Sequence, residues 1–341
     1  MAVLYATGWE AGSIAWYNAQ TPAAWTGSSN INTFGTGLHR NAAGTGGNYS
    51  VWVAPNWRCA AGTVTAGSAR WLHFWWRPYV NFQSLCVQFG RSGTLQCQVW
   101  FGSDGRVYLL RGTTQLTFTG SGQYIPRLGH WIAIELTCQD AGGIINAYVD
   151  DVLVASFTGD TKEHASLTDW DHWGWGNLFG GGFNQDAWID DVVVTDSTTG
   201  KVTEKYLMPI APDGDSSPLT LTPSTGVTHY NLVDEIPLND TDFNSTAVSG
   251  NEDLYTFTAP PTANSILAVV FSARATNDAG LTLGAISVKS GATTVYQPAV
   301  TLAVSPTYTD TSYILDTDPD TAVAWTNAGV AAVEAGYRFN T

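Results

Sequence analysis

One stretch of the chain combines the residue types that bind sugars. Residues 169–188, DWDHWGWGNLFGGGFNQDAW, bring tryptophans together with histidine, asparagine and aspartate. Flat indole rings stack on the C–H faces of sugars, while amide and carboxylate groups bind hydroxyls. The candidate glycan-binding residues are Trp170, His172, Trp173, Trp175, Asn177, Asn184 and Asp186. The alternative is that these tryptophans fill the core, and the abundance of tryptophan before residue 190 favours that alternative.

The same stretch contains acidic side chains that suit a calcium ion. Calcium takes oxygen ligands from carboxylates, and the candidates here are Asp169, Asp171 and Asp186. The alternating acids of 316–320 are interrupted by a proline and lack the glycine and glutamate of an EF-hand loop. Calcium is therefore the one candidate cofactor, and the alternative of solvated loop acids is favoured.

The chain shows no recognisable catalytic constellation. Retaining glycoside hydrolysis needs two carboxylates about 5 Å apart, which jelly-roll glucanases supply as E-x-D-x-x-E on one strand. That spacing is missing, and the adjacent Asp190 and Asp191 would point to opposite faces of a strand. No serine lies in G-x-S-x-G, and the six histidines have no metal-binding spacing. We therefore expect that the chain is not an enzyme.

Strands must position these residues. In 129–160, Ile132, Ile134 and Leu136 alternate with small or polar residues, which is the period of a half-buried strand. Two further apolar runs flank the pair Asp150-Asp151, and aspartate tolerates the positive φ of a two-residue hairpin turn. Similar short runs recur up to residue 195, separated by glycine, aspartate, asparagine or proline. This spacing predicts an all-β fold.

Two segments resemble the concanavalin-A-like/laminin-G-like jelly rolls. Within 129–160, a W-x-x-hydrophobic strand leads into a hairpin similar to that family's Y-V-D-G-hydrophobic motif. The segment LFGGGFNQDAWIDDVVVTD at 178–196 is similar to the family's closing G…G…I-D-D-V-x-V strand. The resemblance implies an N-terminal concanavalin-A-like jelly roll, in which the aspartate of I-D-D-V is a structural position near the start of the strand.

Composition divides the chain in two. Fourteen of the fifteen tryptophans lie before residue 190, and 207–226 contains four prolines. We expect a laminin-G-like jelly-roll domain over 1–206, a linker over 207–226 and a smaller C-terminal β-sandwich over 227–341. The second domain should contain one short helix, with Thr326 as its N-cap and Gly336 as its stop.

Most of residues 213–341 resembles a module of tailed-bacteriophage virion proteins. The acidic loop in 232–257 matches the module's D-x-D-[FY] opening, and AWTNAGVAAVEAG at 324–336 matches its A-W-T…V…A-G closing. The start, LYATGWEAG, is similar to the opening of phage proteins that carry a laminin-G-like domain. The resemblance implies a virion structural protein exposed on the particle as a fibre, spike or decoration, with glycan binding as an added role. The alternatives are a purely architectural capsid or tail protein and, disfavoured by the missing carboxylate pair, a glycan-active enzyme.

Charge and hydropathy limit the partners. The formal net charge of −15 argues against nucleic acid and anionic membranes, and no apolar run is long enough to span a bilayer. The opening residues lack the features of a signal peptide, so we expect synthesis and assembly in the host cytoplasm and a final location in the virion. The expected partners are other virion proteins of the capsid or tail, a host polysaccharide, and further copies of the chain in a homo-oligomer such as a trimer.

The four cysteines predict free thiols. In QSLCVQFG and TLQCQVWFG, the alternation places Cys86 and Cys97 on opposite faces of paired strands. No C-x-x-C metal spacing is present. We therefore expect four reduced cysteines, which fits cytoplasmic synthesis.

Overall fold

The computed structural model describes residues 3–7, 34–36, 49–53, 58–78, 84–124, 128–176, 187–205, 207–235, 240–260, 262–263, 265–278 and 280–341. Contacts divide these described residues into two compact units, the first ending at Leu207 and the second beginning at Met208. Both units consist mainly of antiparallel strands, which confirms the prediction of an all-β protein. Among these residues, no helix has the length and apolar character needed to cross a membrane.

The first unit is a jelly-roll sandwich of two sheets, whose strands are numbered here in chain order. The larger sheet has the order β12 (Val152–Gly159), β11 (Gly143–Val149), β10 (His130–Thr137), β5 (Trp71–Pro78), β14 (Ala187–Thr195), β3 (Tyr49–Val53) and β2 (Phe34–Thr36), and β1 (Val3–Thr7) also pairs with β14. The smaller sheet has the order β4 (Arg58–Thr63), β13 (His172–Gly176), β6 (Leu85–Arg91), β7 (Thr94–Phe101), β8 (Val107–Arg111) and β9 (Thr114–Phe118). We call these the eight-stranded and the six-stranded sheet.

The core of the first unit lies between the inner faces of the two sheets. On β5, Phe74 and Trp76 are fully buried and contact rings from the six-stranded sheet. The Phe74 ring lies 5.3 Å from that of Trp175, and the Trp76 ring lies 5.8 Å from that of Phe101, measured between centroids. Side chains alternate between the two faces of a strand, so these contacts assign every second residue to the inner face.

The hairpin at the end of β11 has the expected turn. Asp150 and Asp151 have φ values of +48° and +68°, and Val149 pairs with Val152 across them. Both central residues with positive φ define a type I′ turn, whose twist matches that of paired strands. The Asp150 carboxylate also accepts a hydrogen bond from the Trp131 amide at 2.9 Å, which fixes the hairpin against β10.

Residues 196–205, which we call the strap, follow β14 and cover part of the outer face of the eight-stranded sheet. The Val202 amide donates to Nε2 of His73 at 3.0 Å, and Nε1 of Trp131 donates to the Val202 carbonyl at 3.2 Å. His73 is fully buried, and burial lowers the pKa of its imidazole to about 3. The backbone of the strap is therefore hydrogen-bonded to a neutral histidine.

The second unit is a smaller sandwich. Its main sheet has the order β15 (Pro212–Leu219), β18 (Glu252–Phe257), β24 (Glu334–Asn340), β20 (Leu283–Ser290) and β21 (Thr293–Tyr296), with β22 (Val300–Thr301) also paired to β20. A second pair, β19 (Val269–Ala275) and β23 (Thr309–Leu315), supplies the other layer, and β16 (Thr222–Pro223) pairs with β17 (Asn244–Ser245). Its core includes Phe271, Ile286, Val288, Trp325 and Tyr337.

Two boundary predictions in the second unit need correction. Residues 207–226, predicted as a linker, include β15, which pairs with β18 at the edge of the main sheet. An edge strand tolerates proline because one side of its backbone needs no partner. The helix α1 (Asn327–Ala332) begins as predicted, with the Thr326 side chain accepting a hydrogen bond from the Gly329 amide at 3.0 Å. It ends earlier than predicted, because Gly336 lies inside β24.

Candidate functional site

The tryptophans of the predicted glycan site lie in the core. Trp170, Trp173 and Trp175 are each 0% exposed. Trp173 and Trp175 share the inner face of β13, and the Trp170 ring packs edge-on against Trp173 and Phe89. A ring that is fully buried has no face open to a sugar, so these three residues do not form a stacking surface. The alternative reading of the sequence, core filling, describes them correctly.

The polar members of that prediction are distributed differently. His172 lies on the outer face of β13, where its Nδ1 contacts Oδ1 of Asp171. Oδ1 of Asp171 also accepts a hydrogen bond from the Ser92 amide at 3.2 Å. The remaining predicted residues, Asn177, Asn184 and Asp186, lie outside the described residues. Within the described part of the chain, no group of three or more His, Cys, Asp or Glu side chains could hold a metal ion. The pair Asp169 and Asp171 therefore stays a calcium prediction without a complete ligand set there.

The outer face of the six-stranded sheet carries a row of amide side chains. Nε2 of Gln88 on β6 donates to Oε1 of Gln98 on β7 at 2.9 Å, and the Cys86 thiol donates to the same oxygen at 3.2 Å. Nε2 of Gln98 in turn donates to the Gly112 carbonyl. Gln88 is 0% and Gln98 is 2% exposed. Their amide groups therefore form hydrogen bonds within the protein rather than with solvent. These bonds link neighbouring strands of the sheet.

Next to the amide row, three aromatic rings cross β7, β8 and β9 on the same outer face. Trp100 lies opposite Tyr108, and Tyr108 lies opposite Phe118. The first pair of rings has a centroid distance of 4.7 Å and an interplanar angle of 26°, and the second pair has 5.9 Å and 17°. These values describe offset stacking of successive rings. We call Trp100, Tyr108 and Phe118 the aromatic ladder.

The ladder becomes more exposed towards the edge of the sheet. Trp100 and Tyr108 are partly exposed, whereas Phe118, on the edge strand β9, is 53% exposed. One face of Phe118 is stacked on Tyr108. The other face has no further strand of this sheet beside it among the described residues. The ladder therefore ends in an aromatic face that another flat, apolar group can cover.

Two loops with polar side chains stand at one end of the ladder. They are residues 102–106, before β8, and residues 119–124, after β9, and we call them the rim loops. The Gly122 amide donates to the Asp104 carbonyl at 3.2 Å, and the Gln123 amide donates to the Gly105 carbonyl at 2.9 Å. The two loops are thus joined by backbone hydrogen bonds. Each rim loop carries at least one exposed polar side chain.

A carboxylate and a guanidinium are held together on the first rim loop. Nε of Arg106 lies 3.2 Å from Oδ2 of Asp104, and the Arg106 amide donates to Oδ1 of Asp104 at 3.1 Å. Their side chains are 41% and 47% exposed, respectively. Both side chains keep part of their surface open to solvent, where the carboxylate can accept and the guanidinium can donate hydrogen bonds. Such charged groups bind ligand hydroxyls strongly.

A glycine and a tyrosine hold the rim loops in position. Gly105 has a φ of +77°. A Cβ at this position would lie 2.9 Å from both the backbone nitrogen of Gly122 and the backbone carbonyl oxygen of Tyr124. Only glycine accommodates this backbone and this close approach. The Tyr124 hydroxyl donates to the Gly102 carbonyl, and burial raises the pKa of that phenol well above its usual value. The hydroxyl therefore stays protonated and keeps donating.

The sequence contains the aromatic residues of this site, but the sequence alone does not show that they lie side by side. The runs LQCQVWFG, RVYLL and TQLTFTG are identifiable as strands, and each contains one aromatic residue at an outer position. Whether those three residues lie side by side depends on the register between strands. The register is set by the turns and bulges, such as the shift between Leu109 and Leu110, which alternation alone does not show.

Comparison with known proteins gives structures of sugar-related proteins but no family. The chain matches no protein-family model and no curated protein. A galectin from Caenorhabditis elegans is 13% identical over 42% of this chain and 95% of its own, with a TM-score of 0.30. A Trypanosoma rangeli sialidase is 13% identical over 43% of this chain and 25% of its own, with a TM-score of 0.33. An endo-β-1,4-glucuronan lyase from Trichoderma reesei is 13% identical over 44% of this chain and 82% of its own, with a TM-score of 0.30.

One expectation from the sequence needs correction. The absence of E-x-D-x-x-E predicted that the chain is not an enzyme, yet a sialidase and a polysaccharide lyase are among the similar structures. The missing motif excludes one hydrolytic mechanism and no other. The prediction that the chain is not an enzyme was therefore wrong. What the sheet topology establishes is that the first unit is an antiparallel β-sandwich of the jelly-roll type.

Proposed function

We propose that the first unit binds glycans at the aromatic ladder and the adjoining rim loops. The observation that carries this proposal is the stack of Trp100, Tyr108 and Phe118, which ends in a half-exposed ring at the edge of the sheet. Carbohydrate sites combine an aromatic face with a small number of placed polar groups. Both components are present here within three neighbouring strands and two loops.

In the proposed complex, a pyranose ring adds the next layer to the stack. Its C–H face covers the free face of Phe118, and its hydroxyl groups reach the rim loops. The Asp104 carboxylate accepts hydrogen bonds from hydroxyls, and the Arg106 guanidinium donates to their oxygen atoms. Because the loops are already joined by backbone hydrogen bonds, little conformational entropy is lost when the sugar binds.

Affinity for a single sugar should be weak. One stacking contact and a few hydrogen bonds at an exposed site correspond to binding on the order of −4 kcal/mol, or a millimolar Kd. Useful adhesion then needs several copies acting together, since linked sites raise avidity without new contacts. We therefore propose a homo-oligomer, with a trimer as the simplest arrangement, and a host-surface polysaccharide as the ligand. Light scattering of the purified protein measures the number of copies directly.

The test of this site compares two exposed apolar residues on different sheets. Glycans selected on an array would be titrated against Phe118→Ala and against Leu153→Ala, a residue of β12 that is 49% exposed. Loss of the stacking face should weaken binding about fivefold, which corresponds to about 1 kcal/mol. Leu153→Ala should bind like the unmodified protein. Equal effects of both substitutions, or an array without any bound glycan, would favour the alternative of a purely architectural protein.

We also propose that the chain is a structural protein of a tailed-phage particle, displayed as a fibre, spike or decoration. The resemblance of most of residues 213–341 to a virion module supports this proposal. In this account, the second unit docks to capsid or tail proteins while the first unit meets the host surface. Mass spectrometry of purified particles should detect peptides from both units. Detection in infected-cell lysate alone, at a depth that finds the known particle proteins, would contradict the assignment.

A further inference from the structure

Two buried cysteines from different sheets meet in the core of the first unit. Cys97 lies on the inner face of β7 in the six-stranded sheet, and Cys138 directly follows β10 of the eight-stranded sheet. Both residues are 0% exposed. Their Sγ atoms are 3.5 Å apart, and both are free thiols. The sequence predicted that Cys86 and Cys97 point apart, as they do, but the contact between Cys97 and Cys138 was not foreseen.

The local hydrogen bonds orient the two sulfur atoms toward each other. The Cys97 thiol lies 2.9 Å from the Thr161 carbonyl and donates to it. Its sulfur is then the acceptor for the Cys138 thiol. A disulfide has an S–S distance of about 2.05 Å, so the two atoms need to approach by about 1.5 Å.

We propose that Cys97 and Cys138 form an inter-sheet disulfide when the chain folds in the presence of a disulfide oxidant such as glutathione disulfide. One thiolate attacks glutathione disulfide and releases one glutathione, and the second thiolate attacks the mixed disulfide and releases the other. The two cysteines lose two protons and two electrons, and one glutathione disulfide is reduced to two glutathione molecules. The site is thus a modification site for thiol oxidation.

Oxidation should occur during folding rather than in the folded state. Both sulfur atoms are shielded from solvent, and burial raises the pKa of the Cys97 thiol well above its usual value. The attacking species is the thiolate, which is scarce in this environment. The reduced core is therefore kinetically protected, and the bond forms while the two sheets assemble.

The bond would join the two sheets across the core. The two positions are 41 residues apart in the chain. Closing a loop of this length in the unfolded chain should raise the Tm of the first unit on the order of 10 °C. A disulfide within one sheet would not tie the two layers of the sandwich together.

The experiment refolds the full chain from denaturant with glutathione disulfide or with dithiothreitol, then alkylates it in denaturant. We expect four alkylated cysteines after refolding with dithiothreitol and two after refolding with glutathione disulfide. Proteolysis of the oxidised sample should yield one peptide pair containing Cys97 and Cys138, which reductant separates. Four alkylated cysteines in both samples, or a pair that includes Cys59 or Cys86, would overturn the proposal.

Cys86 supplies a matched control because it is an equally buried thiol on the opposite face of the same sheet. Cys86→Ala should keep both the linked peptides and the rise in Tm on oxidation. Cys97→Ser and Cys138→Ser should each lose them, while their reduced forms report any effect of the substitution on folding. An oxidation-dependent rise in Tm that persists in Cys97→Ser would show that another reaction is responsible.

Discussion

At the scale of single residues, burial decides which aromatic side chains can meet a ligand. Trp175 and Phe118 are both aromatic residues of the six-stranded sheet, but Trp175 is 0% and Phe118 is 53% exposed. The tryptophan-rich segment has the composition of a sugar site, and its rings nevertheless pack between the sheets. Composition predicts which groups are available, whereas the phase of the strand determines which side they face.

Replacing Trp175 should therefore affect stability and not recognition. Trp175→Ala removes a fully buried ring that contacts Phe74, so we expect a loss of about 3–5 kcal/mol in the free energy of unfolding. Phe118→Ala should cost well under that because its ring is half exposed. Chemical denaturation of both variants measures the difference. A Trp175→Ala protein of unchanged stability that no longer binds glycan would restore the original site prediction.

His73 should make the first unit sensitive to acid. Burial lowers the pKa of its imidazole to about 3, below the value of about 6.5 in an unfolded chain. As the pH falls from 6.5 towards 3, the unfolded state binds a proton that the folded state does not, so stability falls across this window. At pH 4, the loss should be on the order of 3 kcal/mol relative to pH 7. Protonation of Nε2 would also break its hydrogen bond from the Val202 amide.

His73→Gln is the matched variant, since its amide oxygen can still accept a hydrogen bond from Val202. Denaturant titrations at several pH values between 7 and 4 should show a smaller loss of stability in the variant than in the unmodified protein. Carboxylates contribute equally to both proteins and cancel in the comparison. Parallel pH profiles for the two would contradict a neutral, buried His73.

At the scale of elements, the sequence predicted where strands and turns lie along the chain. It did not predict which residues of different strands lie next to each other. Alternation identified β10, and the Asp150-Asp151 pair identified the hairpin that follows β11. The same alternation said nothing about the register that brings Tyr108 between two other rings. Register depends on turns, bulges and contacts between distant segments, which no single strand encodes. The proline-rich β15 was missed for a related reason, because its pairing partner lies far along the chain.

The helix cap is an element-scale feature with a measurable contribution. The Thr326 side chain caps a helix of only six residues by accepting a hydrogen bond from the Gly329 amide. Thr326→Ala should lower the stability of the second unit by about 1 kcal/mol, whereas Thr326→Ser keeps the hydroxyl and should cost less. Thermal unfolding of the two variants separates these outcomes. Equal losses would mean that the methyl group, not the cap, matters.

At the scale of the whole molecule, the two units should unfold separately. Each has its own core, built around Phe74 and Trp76 in the first unit and around Trp325 in the second. We expect two transitions in calorimetry and proteolytic cleavage close to Leu207 that leaves two folded fragments. A single cooperative transition with no cleavage in this region would contradict independent folding of the units.

Mapping of amide chemical shifts would show whether glycan binds to the aromatic ladder. A glycan selected on an array would be titrated into isotope-labelled protein. We expect shifts concentrated in β7, β8, β9 and the rim loops, and we expect these shifts to be absent in Phe118→Ala. Shifts confined to residues 169–176 or to the eight-stranded sheet, or no shifts at millimolar glycan, would contradict it.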